Sequence, residues 1–133
     1  MMFQTKLFKL TSVLLFLIFV LYFLELKFYL SWTVWWYDIL LHFLGGGVVG
    51  MATLLIFEKL FDTEAVSVFK AVLMGVIGAF VVGMLWEILE LRLDLVSFSD
   101  GAIYITDTTS DLVLDMTGAF LGVFYGLKTW KKI

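Results

Sequence analysis

The chain has 133 residues, 62% of them hydrophobic and 16% charged, with a mean hydropathy of +1.05. A water-soluble domain this small exposes too much surface to hide that apolar content, so the solvent is lipid and disorder is excluded. Nine Lys and Arg against twelve Asp and Glu leave a net charge of -3 and no basic surplus for a nucleic acid, and the lack of cysteine excludes disulfides, thiolate ligands and a cysteine nucleophile.

Uncharged runs cover residues 10–24, 39–57, 71–86 and 116–127. A helix needs about 20 residues to cross the hydrocarbon core. The second run is long enough by itself. The others reach that length if flanking charges snorkel or if acidic residues sit inside the membrane against other helices. The expected fold is all-α: one integral membrane domain over residues 1–133, a four-transmembrane-helix bundle with spans at about 7–28, 38–58, 69–90 and 108–128. No proline demands a break in any of them.

Lys6 and Lys9 precede the first run, as in a signal peptide, but Leu24-Glu25-Leu26-Lys27 after it holds no small-x-small cleavage pattern, so the segment is expected to stay as an anchor. Trp32, Trp35, Trp36 and Tyr37 read as an aromatic belt at the outer interface, with Tyr125 and Trp130 serving the inner one. Between the third and fourth spans, Val96 to Ile105 carries the turn signature Asp100-Gly101 and reads as a short hairpin or lid.

Four spans put both termini and the loop at residues 58–70 on one side. Lys6, Lys9, Lys59, Lys70, Lys128, Lys131 and Lys132 fall there with only Glu58, Asp62 and Glu64, a balance of +4. The other side has Lys27 and Arg92 against nine acids, a balance of -7. The positive-inside rule then puts both termini in the cytoplasm of a multi-pass plasma-membrane protein.

The acids of the outer side are in phase with small residues. In the second span Asp38, His42, Gly46 and Gly50 follow at intervals of four. In the third, Gly75, Ala79, Gly83, Glu87, Glu90 and Asp94 share a stripe; in the fourth, Asp107, Asp111, Asp115, Gly118, Gly122 and Gly126 do. Small residues let helices approach closely in lipid. If they form the contacts, the acidic ends of the three stripes converge too. Crowded carboxylates at low dielectric cannot all stay ionised, so several bind protons or a cation neutralises them. Oxygen donors with one imidazole suit a divalent ion such as Zn2+, Mg2+, Mn2+ or Ca2+. The expected metal ligands are Asp38, His42, Glu87, Glu90, Asp107, Asp111 and Asp115, with Glu87 or Glu90 also available as a catalytic base. Against this stand plainer readings: His42 as a packing residue, Asp107 as a helix N-cap, Glu90 and Asp94 solvated at a helix end.

The segments Tyr37-Asp38-Ile39-Leu40-Leu41-His42-Phe43-Leu44-Gly45-Gly46, Trp86-Glu87-Ile88-Leu89-Glu90, and Asp107 through Asp111 and Asp115 to Gly118 and Gly122 together resemble the VanZ-like integral membrane proteins. They look closest to the small inner-membrane members of that group. The resemblance spans about residues 32 to 127 and implies an integral membrane protein of the same helical order.

The functional reading is a metal-dependent enzyme, a hydrolase in type, acting on a lipid or lipid-linked substrate near the outer face. The alternatives are a cation or proton binding or transport protein, which would need a homo-oligomer for alternating access, and a non-catalytic accessory protein. Membrane lipids are the expected partners in every case.

Overall fold

A computed structural model describes residues 6–60 and 67–130. Asp62, Glu64, Lys131, Lys132 and the side chain of Trp130 lie outside the described residues. The described chain is helical without a strand: α1 Lys6–Phe28, a single turn α2 Leu30–Thr33, α3 Tyr37–Leu60, α4 Val68–Arg92 and α5 Ala102–Trp130. The four long helices are apolar enough to cross a membrane. At about 1.5 Å per residue even the shortest, α1, exceeds the roughly 30 Å of hydrocarbon to be crossed.

The helix ends follow local chemistry. Tyr29 turns left-handed at φ 52 and closes α1, its amide donating to the Glu25 carbonyl. Asp94, at φ 56, does the same for α4: its N–H donates to the Leu91 carbonyl and that of Leu95 to the Glu90 carbonyl, a Schellman closure with Asp where glycine is usual. Ser67 caps the start of α4 by accepting from the Lys70 amide. The Asp100-Gly101 turn forms as read from the sequence, with Gly101 at φ 59, a region that favours glycine. Its flanks do not become strands. Phe98–Asp100 is a 3-10 turn and α5 begins at Ala102, because the segment finds helical bonds instead: Thr106 Oγ1 donates to the Ala102 carbonyl, and the Phe98 ring meets Tyr104 edge-on.

α3 is the centre of the bundle and packs against α5, α4 and α1. Its seam with α5 is backbone against backbone. A Cβ on Gly46 would overlap the Asp115 carbonyl, one on Gly118 the Phe43 carbonyl and one on Gly122 the Gly47 carbonyl, while Gly50 lies against Ala119. The paired numbers rise together, so α3 and α5 run parallel. α4 is antiparallel to both, with Gly83 against Leu112 and Asp115 and Gly75 against Val123. Close approach of this kind replaces the hydrophobic effect as the source of helix association in lipid.

The apolar core of Leu7, Met51, Leu54, Ala71, Val123 and Leu127 occupies the half of the bundle where α1 begins and α3 and α5 end. The opposite half, where α3 and α5 begin, holds the buried polar side chains His42, Glu87, Asp111 and Asp115. Outward-facing side chains are mainly apolar, among them Phe16, Phe19, Ile56, Phe69, Ile77, Leu85 and Phe124, a surface that matches acyl chains and not water, and turn polar at the start of α5 with Thr106, Asp107 and Ser110.

Candidate functional site

His42 stands in the second turn of α3, one turn after Asp38. Their proximity to Asp111 and Asp115 follows from the glycine seam: Gly46 can lie on the Asp115 carbonyl only if the turn before it, carrying His42, lies beside the Asp111 to Asp115 turn of α5. The imidazole is thereby held from both sides. Nδ1 is 3.3 Å from Asp115 Oδ1, and Nε2 is 3.7 Å from both Asp38 Oδ1 and Asp111 Oδ2. His42, Asp111 and Asp115 are 7%, 4% and 7% exposed, so water does not screen these charges, whereas Asp38 is only partly buried.

The two sides of the ring are not equivalent. An ionised carboxylate only accepts, so in the pair with Asp115 it is Nδ1 that donates, and the neutral ring then presents the Nε2 lone pair to Asp38 and Asp111. One lone pair and two carboxylates facing each other are compensated by a proton, on Nε2 or on one of the carboxyls, or by a metal ion. At 3.7 Å the contacts are too long for good hydrogen bonds. Donors bonded to a common ion at about 2.1 Å lie about 3.4 Å apart in tetrahedral geometry, close to this spacing. One donor atom each from Asp38, His42 and Asp111 falls within a 4.8 Å group.

The other acids expected at the site divide. Asp115 belongs to it through Nδ1 of His42, and its other oxygen rests against Gly83, where a Cβ would come within 2.5 Å. It therefore orients the ring, as a carboxylate does for a ligating histidine. Glu87 is 3% exposed. Its Oε2 accepts from Thr108 Oγ1 at 2.7 Å, while Oε1 is buried with no hydrogen-bond partner among the described residues. Glu90 is partly buried one turn further on and accepts from Trp86 Nε1 at 3.0 Å. Asp107 is exposed in the second turn of α5 and outside the close group, and Asp94 is exposed beyond the end of α4. Asp107 is no N-cap either, since the helix starts at Ala102.

Three supporting side chains carry no acidic signal in the sequence. Thr108 fixes Glu87, Trp86 fixes Glu90, and Tyr22 of α1 meets the Trp86 ring edge-on at 5.0 Å between centroids. Thr108 was within reach of the spacing argument, three residues before Asp111 on the stripe that meets α4. Trp86 was too, four residues before Glu90 on the same helix, whereas Tyr22 was not, because its role depends on where α1 crosses the bundle.

Neither the curated proteins nor the solved structures include one that matches this chain. The motifs that suggested a membrane-protein family do lie within one: residues 1–132 match the family described as "Predicted membrane protein (DUF2238)", and the chain belongs to that family.

Proposed function

We propose that this is a plasma-membrane protein whose outer-facing end binds a divalent metal ion between Asp38, His42 and Asp111, and that the ion serves hydrolysis of a lipid or lipid-linked substrate. The observation that carries the reading is the His42 ring, whose Nε2 faces two carboxylate oxygens at 3.7 Å while Asp115 holds Nδ1. Three protein donors leave coordination positions open for water and substrate. Without the ion, an acidic pocket repels any phosphate or carboxylate; with it, the same pocket polarises their oxygens.

The concentration of Lys where α3 ends, where α4 begins and near the chain ends supports cytoplasmic termini, which sets the metal site toward the outer leaflet. The motif resemblance supports kinship with the VanZ-like proteins. The exposed rings of Trp32 and Trp35 at the same end as the site support its placement at headgroup depth, where amphiphilic substrates present their polar groups.

The test is metal content and binding. Full-length protein purified in detergent is stripped, titrated with Mn2+ by paramagnetic resonance and assayed by elemental analysis. Stoichiometric binding is expected, together with its loss in His42→Ala and Asp111→Asn. Metal-loaded wild type is then expected to release fatty acid or phosphate from a lipid extract, and the same variants are not. Protein that binds no divalent ion, with a melting curve unchanged by chelator, would sink the proposal. Proton flux in liposomes that depends on His42 and needs no metal would favour the transport alternative.

A further inference from the structure

The buried, unpartnered oxygen of Glu87 has no role in the three-donor set. Glu87 lies on α4, across the bundle from the ligands on α3 and α5. Its depth is fixed by two contacts. Gly83, one turn away on α4, touches Asp115, and Thr108, one turn before Asp111 on α5, donates to Glu87 Oε2. Glu87 therefore sits at the level of Asp111, within electrostatic reach of His42 and Asp115. With Oε2 committed to Thr108, the spare acceptor is Oε1, which is buried and has no donor among the described residues.

An unsatisfied carboxylate oxygen inside a bundle is costly. It is not part of the close group of donors that Asp38, His42 and Asp111 make. What fits is a donor standing between Glu87 and the ion. Resting on the metal site proposed above, we propose that Glu87 accepts a hydrogen bond from a water molecule carried by the ion on its α4 side, and so holds the water that attacks the substrate. Glu87 is then neither a metal ligand nor a packing residue. In the hydrolytic reading it marks the α4 side, inside the bundle, as the side on which the attacking water is held.

The experiment uses full-length protein in detergent loaded with Mn2+ alone. Affinity comes from paramagnetic resonance titration, and exchange of the ion's water from oxygen-17 relaxation. Glu87→Gln keeps the shape of the side chain, and Thr108→Val leaves the carboxylate in place but unanchored. Both are expected to bind Mn2+ within about fivefold of wild type, the size of one lost hydrogen bond, and to speed water exchange by a similar factor. Asp111→Asn, by contrast, loses binding. If Glu87→Gln weakens Mn2+ as much as Asp111→Asn does, Glu87 is a ligand and the proposal is overturned. If water exchange is unchanged in Glu87→Gln, Glu87 touches no water and the proposal is again overturned. In both cases the metal site itself stands. Wild type that binds no Mn2+ overturns the metal reading and this inference with it.

Discussion

Gly45 and Gly46 are neighbours in one run of three glycines, and the structure assigns them opposite responses to the same methyl group. A Cβ on Gly45 has no heavy atom within 4 Å, while one on Gly46 would overlap the backbone carbonyl of Asp115. Gly45→Ala then gains only helix propensity, about 0.5–1 kcal/mol. Gly46→Ala has the same gain but must push α3 from α5 by about 1.5 Å, since a carbon and a carbonyl oxygen rest at about 3.3–3.6 Å. Overpacking of this kind costs about 1–3 kcal/mol, and here the obstacle is backbone that cannot rotate away. The two variants are thus separated by that overpacking cost, about 1–3 kcal/mol, or roughly 4–12 °C of melting temperature at about 4 °C per kcal/mol. The same displacement lengthens the 3.3 Å contact between His42 and Asp115, one turn from Gly46. Thermal melts in detergent followed by circular dichroism, with a Mn2+ titration of each variant, measure both effects. Gly45→Ala is expected to bind as wild type, and Gly46→Ala to lose both stability and affinity. Equal melting and equal binding of the two would refute the seam between α3 and α5 and the route by which it assembles the site.

Asp115→Asn is expected to weaken Mn2+ by about 10–100-fold without abolishing binding, as loss of an orienting carboxylate does; complete loss in the titration would make Asp115 a ligand. Chelator is expected to lower the melting temperature of wild type, because an ion present at 100 times its dissociation constant stabilises by about 2.7 kcal/mol. His42→Ala is expected to melt identically with and without metal. Tyr37 Oη donates to the Leu21 carbonyl at 2.7 Å and ties the start of α3 to α1; Tyr37→Phe is expected to cost about 1 kcal/mol in the melt and to leave Mn2+ affinity alone. Asp94→Gly relieves a left-handed residue worth about 1 kcal/mol of strain, and a melt no higher than wild type would count against that conformation.

Composition alone determined that this chain lives in lipid, because no fold of 133 residues can bury so many apolar side chains from water. Periodicity determined the four long helices and the small-residue stripes, since one helix repeat is enough to say which residues share a face. It also brought His42, Asp111 and Asp115 to one polar cluster. What it could not decide was how far each stripe holds its direction. A step of four residues overshoots a full turn by about 40°, so Asp107, two such steps from Asp115, has rotated to the exposed surface while Asp111 remains buried. Nor does spacing within one helix say which helix it meets. That α3 and α5 run parallel in backbone contact, that Asp115 takes Nδ1 and leaves Nε2 to Asp38 and Asp111, and that Thr108 occupies one oxygen of Glu87 and leaves the other bare are relations between helices. They follow from how the glycines lock together, and tertiary structure alone fixes them.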